Sequence, residues 1–426
     1  MKKISDKYES GEAFIILRFF YIAVMTIFQI VIPALLIGNF GLSNYGKWVF
    51  AFSAVSFLNF MDFGFYNSVV NEVIALRAAK KSSQGQEMLE SMSKFIIVVA
   101  LFFLAIIIIL RSTGIGKGQN GSLILWLAVA AIIQIIIRMN EAISRANLSA
   151  NGFMILVISY ISESCCLVIG AINNVNFANL AILLVISRIF YSILGTYFNR
   201  ARISLFRVLR VNACEYLTFG RNNLKKGVLF LAVPIGNLLL FDGSNIILGT
   251  FVSKQFVAEL SILRILTGII RQFSSAVLTS YSPAISHAIF SRDQDNLDKL
   301  RKRMRFILIL GISLLSIGLL IDVQFILEHL FVNASLITIP VFLIFLSSVI
   351  LDVPWNFRAT FLFAVNEHAE IAKKYMISSI IALIVMYPLV ANLGLIGVAV
   401  SFSIQDFMLT RTAFRSSAKI MHNDKE

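Results

Sequence analysis

Long apolar stretches, rather than any catalytic motif, constrain what this chain can form. A transmembrane helix needs about 20 consecutive apolar residues, and stretches of that kind recur from residue 12 to residue 413. Of the 426 residues, 58% are hydrophobic and 14% are charged, whereas about 25% are charged in a soluble domain. A soluble fold cannot bury this proportion of apolar surface. Soluble enzymes, nucleic-acid-binding domains and disulfide scaffolds are therefore excluded.

The apolar stretches predict an all-α membrane protein with about twelve transmembrane helices. They lie near residues 12–37, 45–66, 95–111, 122–142, 153–172, 178–198, 227–250, 256–280, 306–322, 336–364, 372–391 and 394–413. Lys and Arg concentrate in alternate loops, and only Arg111, Lys117 and Lys254 fall in the loops of the opposite side. Because cytoplasmic loops carry the positive excess, both termini are predicted to be cytoplasmic. This topology explains the formal net charge of +14 without nucleic acid.

The two halves of the chain resemble weak repeats of each other. A shift of 211 residues aligns Leu35–Gly38 with Ile246–Gly249, and Lys94 with Arg305. Six spans in each half give both halves the same orientation, so we predict two lobes related by a pseudo-two-fold axis along the membrane normal, around a central cavity. The N-terminal six-helix lobe with its linking cytoplasmic loop would cover residues 1–213, and the C-terminal six-helix lobe residues 214–426.

Short motifs near the first spans point to a known family. The segment Gly41–Trp48, with the sequence GLSNYGKW, opens the second span and is followed by Asp62–Phe65. With the Ser-Tyr-Ser-Pro segment at 280–283 and the doubled layout, these motifs resemble bacterial polysaccharide (O-antigen) flippases of the multidrug/oligosaccharidyl-lipid/polysaccharide exporter superfamily.

The resemblance implies a non-enzymatic, multi-pass transporter of the bacterial inner (cytoplasmic) membrane. Such a protein flips undecaprenyl-pyrophosphate-linked oligosaccharide repeat units to the periplasmic leaflet by alternating access, for the synthesis of O-antigen or another surface polysaccharide. The partners implied are this polyprenyl-pyrophosphate oligosaccharide, membrane lipids and other polysaccharide assembly proteins. No nucleic acid is expected. A cationic cavity that binds the pyrophosphate is also implied.

Arginines inside the apolar spans are the candidate binding residues. Each would cost roughly 2.5–3.5 kcal/mol at the bilayer centre if it faced lipid, so most are expected to face a cavity or a partner. In the eighth span Ser261, Arg264, Gly268, Arg271 and Ser275 recur every three or four residues, along one helical face. Guanidinium groups bind phosphates through paired hydrogen bonds. We therefore predict that Arg264 and Arg271 bind the pyrophosphate, with a stripe of ion pairs between the lobes as the alternative.

Further candidates are spread over both halves. Arg18 and Arg188 are expected to face the same cavity from the first lobe. Acidic residues also lie in the spans, and Asp62 and Asp242 are candidates for coupling to an H⁺ or Na⁺ gradient. Asp62 is chosen from the resemblance, and Asp242 because the run from Asp242 to Asn245 favours local unwinding. Structural pairing with arginines remains the alternative for both acids.

Proline and glycine in the seventh span predict a hinge. Pro234, Gly236 and Gly243 would let one lobe rock against the other, whereas a static kink is the alternative. No catalytic residue, metal site or cofactor is predicted, since the four histidines lie outside the spans.

Two other functions remain open on the sequence alone. An ion-coupled multidrug exporter of the same superfamily would bind organic cations, and the acids within the spans favour it. A polysaccharide polymerase or acyltransferase in the membrane is less well supported, because a large extracytoplasmic loop or a histidine cluster within the membrane is expected of such enzymes, and the sequence shows neither.

Overall fold

The computed structural model describes most of the chain as helix. The described residues are 2–60, 66, 69, 70, 72, 73, 76, 81–113, 119–146, 150–199, 213–290, 293–331, 337–364 and 369–422. In chain order the helices are α1 (Lys2–Phe40), α2 (Leu42–Ser56), α3 (Ser82–Ser112), α4 (Gln119–Ala146), α5 (Ala150–Ile172), α6 (Phe177–Asn199), α7 (Ala213–Phe251), α8 (Lys254–Phe290), α9 (Gln294–Leu330), α10 (Ile339–Ala364), α11 (Ala369–Leu393) and α12 (Leu395–His422), with a 3₁₀ turn at Phe57–Phe60. No strand occurs among these residues. The predicted all-α fold is confirmed.

Eight helical segments of the described chain are long and apolar enough to cross a membrane. They are Phe20–Phe40, Ser83–Ile109, Gly121–Ile143, Phe177–Tyr197, Ala232–Phe251, Gln294–Leu330, Ile339–Ala364 and Ala369–Leu393. A shorter apolar segment, Val157–Ile172, lies in α5. The remaining helices α2, α8 and α12 occupy the positions of the other predicted spans. The helices therefore follow the predicted order of apolar stretches.

The chain folds into two compact units. The first unit comprises Met1–Leu35 and Ala51–Leu231, and the second comprises Leu36–Phe50 and Ala232–Glu426. The first unit ends at Leu231 rather than at residue 213, and the segment Leu36–Phe50 belongs to the second unit. The lobe boundaries at 1–213 and 214–426 stay a prediction from the repeat.

In the first unit, a core cluster lies between α3 and α4. Leu89, Met92 and Ile96 of α3 pack with Ile135 and Met139 of α4, and all five are almost completely buried. Their spacing of three or four residues places one apolar stripe on each helix. Inside a bilayer the lipid is as apolar as these side chains, so close packing rather than removal from water holds the helices together.

In the second unit, α8 packs against both α9 and α10, and α12 packs against α10 and α11. A core cluster at the α10, α11 and α12 contact contains Trp355, Tyr375 and Leu409. The turn between α11 and α12 consists of Gly394 alone, with a φ of 58°. That left-handed conformation favours glycine, so α12 follows α11 directly and lies against it.

The segment Leu36–Phe50 is anchored in the second unit by α8. The hydroxyl groups of Tyr45 and Ser261 are hydrogen-bonded at 3.1 Å, and the Lys254 ammonium lies 3.1 Å from the centroid of the Phe50 ring. A Cβ atom on Gly46 would lie 1.8 Å from the Lys254 carbonyl oxygen, so only glycine permits this approach. The motif identified in the sequence is therefore a packing motif in this structure.

Candidate substrate cavity

A cavity of about 300 Å³ lies within the second unit. Helices α7, α8, α10, α11 and α12 line it. Its hydrogen-bonding and charged groups include Asn237, Arg271, Asp352, Trp355, Tyr375 and Asp406. A mostly apolar pocket with a few convergent polar groups is typical of a ligand site, so this cavity is the candidate substrate site.

Arg271 faces a pair of carboxylates across the cavity wall. Its Nε donates to Asp352 Oδ2 at 3.3 Å. The Trp355 indole N–H is shared between Asp352 Oδ1 at 2.9 Å and Asp406 Oδ1 at 3.2 Å. One donor therefore holds two acidic side chains close together, one from α10 and one from α12. The Arg271 side chain remains 31% exposed, so its guanidinium has room for a further partner.

Aromatic rings and amides complete the wall. The Tyr375 hydroxyl donates to Asn237 Oδ1, and the Tyr375 and Trp355 rings lie 5.3 Å apart between centroids. The Arg271 guanidinium carbon lies 4.8 Å from the centroid of the Phe241 ring. Rings beside a guanidinium favour cationic groups through their π faces, so Phe241 helps to hold Arg271 in the cavity wall.

The charged groups of the lining decide what the cavity can bind. Among the described lining residues they are Arg271, Asp352 and Asp406. With both acids ionised the lining is net negative, in contrast to the cationic cavity that the resemblance implies. An anion can bind at Arg271 when a proton or metal cation neutralises the carboxylates, and an organic cation can bind when they are free.

Arg264 has a different environment from Arg271, although both lie on one face of α8. Its guanidinium donates to three groups of α7: the Phe241 carbonyl at 2.9 Å, Asn245 Oδ1 at 2.9 Å and Ser244 Oγ at 2.5 Å. It is absent from the cavity lining. Its Nε has no hydrogen-bond partner among the described residues. Arg264 thus joins α8 to α7, and its role in pyrophosphate binding stays a prediction.

The predicted coupling and hinge residues of α7 lie in continuous helix. Asp242 interacts electrostatically with Arg264 and is partly exposed. The expected unwinding after Asp242 is wrong, because residues 242–245 remain helical and the Ser244 hydroxyl donates to the Phe241 carbonyl of the same helix at 2.7 Å. The hinge at Pro234, Gly236 and Gly243 stays a prediction. The helix continues through all three residues.

Arg188 forms a closed ion pair in the first unit. Its Nη2 and Nε donate to the two carboxylate oxygens of Glu163 at 2.6 Å and 3.1 Å. Its Nη1 donates to the Ala130 carbonyl at 2.9 Å. The side chains of Arg188 and Glu163 are only 9% and 16% exposed. The structure therefore gives Arg188 the internal partner that the sequence left as an alternative, and substrate binding by Arg188 remains a prediction.

Two predicted site residues lie outside what the structure describes. The Asp62 position and the Arg18 side chain both fall there. Their assignments to ion coupling and to substrate binding therefore stay predictions.

The sequence pattern singles out neither Asp352 nor Asp406 among the acids within the spans, and it gives no role to Trp355, Tyr375 or Asn237. One signal was present for Trp355, which follows Asp352 by three residues and so lies on the same helical face. Asn237 and Tyr375 are 138 positions apart, and no local pattern joins them.

Comparisons with known proteins identify the fold. No family model and no curated protein matches the sequence. A solved inward-facing multidrug resistance MATE family transporter of the MOP superfamily aligns with a TM-score of 0.70 at 13% identity, over 96% of this chain and 99% of that chain. The lipid II flippase MurJ, in an inward closed conformation, aligns with a TM-score of 0.68 at 16% identity, over 95% of this chain and 87% of that chain.

A third solved structure is a MOP superfamily transporter from Pyrococcus furiosus, whose binding pocket is described as having reverse polarity. It aligns with a TM-score of 0.63 at 14% identity, over 97% of this chain and 95% of that chain. Because these alignments cover nearly the whole chain, the protein has the two-lobe fold of MOP superfamily transporters, as the motifs suggested.

Proposed function

We propose that this protein flips an undecaprenyl-pyrophosphate-linked oligosaccharide from the cytoplasmic to the periplasmic leaflet of the bacterial inner membrane, for O-antigen or another surface polysaccharide. The observation that carries the proposal is Arg271, a partly exposed guanidinium in a cavity of a MOP-type fold. A guanidinium binds phosphate oxygens in bidentate geometry and stays charged. A lipid II flippase among the structural neighbours supports a lipid-linked substrate.

The cavity suits the headgroup region of such a substrate. Its volume of about 300 Å³ lies at the lower end of ligand pockets, so it would hold the diphosphate rather than the whole oligosaccharide. The amide of Asn237 and the ring of Trp355 border the same space and would contact the sugar next to the diphosphate. Arg264, Arg188 and Arg18 remain secondary candidates for binding the substrate.

The two carboxylates provide a way for a cation to control substrate binding. Asp352 contacts Arg271, so a diphosphate competes with Asp352 for the guanidinium. When H⁺ or Na⁺ binds between Asp352 and Asp406, Arg271 becomes available to the anionic substrate. Loss of the cation restores the ion pair and expels the diphosphate. Asp62 and Asp242 remain candidates for further ion sites, and a hinge at Pro234, Gly236 and Gly243 would serve the alternating access.

The test is leaflet exchange of a fluorescent undecaprenyl-pyrophosphate oligosaccharide in proteoliposomes. Arg271→Gln should lower the exchange rate at least tenfold relative to the parent at equal folded protein. Arg303→Gln is the matched control, because it removes one positive charge from an exposed position on α9 and should leave the rate unchanged. Exchange that is unaffected by Arg271→Gln would exclude the site, and no exchange with any such carrier would exclude the function.

An ion-coupled multidrug exporter is the second candidate, and one observation favours it. The described lining has two carboxylates against one guanidinium, beside Trp355 and Tyr375, and acids with aromatic rings bind organic cations. The multidrug resistance transporter among the structural neighbours agrees with this alternative. Uptake of a fluorescent organic cation into the same proteoliposomes decides between them. Uptake that is abolished by Asp352→Asn with Asp406→Asn, without exchange of the oligosaccharide carrier, would establish the exporter.

A further inference from the structure

A second pocket opens on another face of the second unit. This groove has a volume of about 370 Å³ and lies between α9, α10 and α12. Its apolar lining includes Leu308, Ile309 and Ile312 of α9 and Ile350 and Val353 of α10. Ile309 is 61% exposed and Ile350 is 39% exposed, so the groove opens outward toward the surrounding hydrocarbon.

Arginines gather at one end of this groove. Arg305 and Arg358 line it, and Arg301, one helical turn before Arg305, interacts electrostatically with Arg358. The Arg358 guanidinium carbon lies 4.4 Å from the centroid of the Phe414 ring, which also lines the groove. Three like charges brought together favour an anion at this end. The ring beside Arg358 helps to fix its guanidinium there.

The charged end faces the membrane surface that the sequence predicts to be cytoplasmic. Arg358 lies within the last two turns of α10, and Arg305 follows the basic N-terminal part of α9. From Arg358 back to Ile350, α10 rises by about 12 Å toward the membrane centre. The groove therefore has a cationic end at the level of the lipid headgroups and an apolar channel long enough to hold part of an acyl chain.

Helix α10 separates this groove from the substrate cavity. Asp352 and Trp355 line the cavity, whereas Val353, Pro354 and Phe357 line the groove. The two sets alternate along the helix and so occupy different faces of it. A molecule in the groove therefore lies on the outer side of α10, where lipids of the bilayer have access. A headgroup carried inside the cavity has no access to this side of the helix.

We propose that this groove is a binding site for an anionic glycerophospholipid of the cytoplasmic leaflet. Arg305 and Arg358 bind the lipid phosphate, Arg301 adds to the local positive charge, and one acyl chain lies along Ile312 and Val353. Anionic lipids of that leaflet supply the complementary charge. The site is separate from the substrate cavity. It would bind the lipid whichever of the two proposed functions is correct.

Occupancy would also support α10 at a weak point. Pro354 has no N–H group, so the Ile350 carbonyl cannot accept the usual helical hydrogen bond. Both residues line the groove, and Asp352 of the cavity lies between them in the chain. A bound acyl chain packs against this stretch, so it holds the helix that carries Asp352 in place.

The test is native mass spectrometry of the full-length protein in detergent, titrated with phosphatidylglycerol and separately with neutral phosphatidylcholine. The parent should bind one phosphatidylglycerol at least tenfold more tightly than phosphatidylcholine. Arg305→Gln with Arg358→Gln should remove this preference. The control, Lys302→Gln with Arg303→Gln, removes two charges from exposed positions on the same helix and should keep it. A parent without preference, or equal losses in both double variants, would overturn the proposal.

Two further measurements distinguish a phospholipid site from general charge attraction and from a site for the carrier lipid. Ile350→Trp fills the apolar channel without changing charge and should weaken phosphatidylglycerol binding, while the thermal transition shows that the variant is folded. Binding that Ile350→Trp leaves unchanged would exclude the acyl-chain channel. Undecaprenyl phosphate is the competitor. If it displaces phosphatidylglycerol at an equal or lower concentration, the groove is a site for the carrier lipid and the proposal fails.

Discussion

Each unit contains an arginine–carboxylate pair within apolar helices, and the two pairs are built differently. Arg188 pairs with Glu163 in the first unit, and Arg271 pairs with Asp352 in the second. The first pair is bidentate, with contacts of 2.6 Å and 3.1 Å, and Arg188 also binds the Ala130 carbonyl. The second pair has one contact of 3.3 Å. Its arginine is 31% exposed in the cavity, against 9% for Arg188.

The difference separates a structural ion pair from one that can exchange partners. A charge taken out of water needs a partner that satisfies it fully, and Glu163 does so for Arg188. Arg271 keeps part of its hydrogen-bonding capacity, and Asp352 shares the Trp355 donor with a second acid. Two arginines that look alike in the sequence therefore have different uses, and the open pair is the one suited to ligand binding.

The largest effect is expected from Glu163→Gln. This change leaves the Arg188 guanidinium buried without a counter-charge, which costs about 3–5 kcal/mol. Asp352→Asn should cost less, because Arg271 keeps 31% of its side chain exposed and makes a single contact of 3.3 Å with Asp352. Denaturant unfolding in mixed micelles measures both free energies of unfolding. Equal losses in the two variants would contradict the contrast between the pairs.

A double variant checks the cause of that loss. Glu163→Gln with Arg188→Met removes both charges and should recover most of the stability lost in Glu163→Gln, because no unpaired charge remains. If the double variant is as unstable as the single variant, packing rather than charge explains the loss.

A smaller loss is expected from Arg188→Lys. Lysine keeps the charge but not the planar fork, so the second carboxylate contact and the bond to the Ala130 carbonyl are lost. Hydrogen bonds to charged groups contribute about 1.5–3 kcal/mol, and the free energy of unfolding should fall by about that amount. Arg271→Lys should change it by less, since the original pair has a single contact. A larger loss in Arg271→Lys would reverse the assignment.

Gly236→Ala tests how tightly the cavity wall of the second unit is packed. A Cβ atom there would lie 2.5 Å from Tyr375 Cδ1, so the ring must shift and its bond to Asn237 is strained. Overpacking costs about 1–3 kcal/mol, and the helical preference of alanine offsets roughly 1 kcal/mol of it. Thermal unfolding with a transport assay measures the net effect.

Gly243→Ala is the control on the same helix. Its Cβ would lie 3.4 Å from the nearest atom, in the Leu383 side chain, so this variant should be as stable as the parent or more stable. Loss of transport in a stable Gly243→Ala variant would support the predicted hinge, whereas unchanged transport would argue against it.

The last change, Trp355→Phe, removes the N–H shared by Asp352 and Asp406, and its effect is measured by transport rather than by unfolding. The carboxylates then lack a donor that competes with a cation, so half-maximal transport should need a lower concentration of the coupling ion. Transport at several H⁺ and Na⁺ concentrations measures this shift. An unchanged concentration dependence would remove the acid pair from the coupling step.

The fold was largely predictable from the sequence, and the site only in part. Stretches of about 20 apolar residues have to become helices, because a bilayer leaves no water for unpaired backbone groups. Periodicity also placed Arg264 and Arg271 on one face of α8. Periodicity could not distinguish the environments of these two arginines. Arg264 is bound by α7 groups 19 to 23 positions away, and Arg271 is bound by an α10 carboxylate 81 positions away.

The sequence by itself determined the membrane setting, the order of the described helices, and which charged residues lie within apolar spans, because these follow from local composition and spacing. Only the tertiary structure decided that Arg188 forms an ion pair with Glu163, that Arg264 is hydrogen-bonded to α7 and that Arg271 borders a cavity. It also decided that Asp242 to Asn245 stay helical. Contacts between distant helices determine these outcomes, since a buried charge takes the partner that packing brings within hydrogen-bond distance.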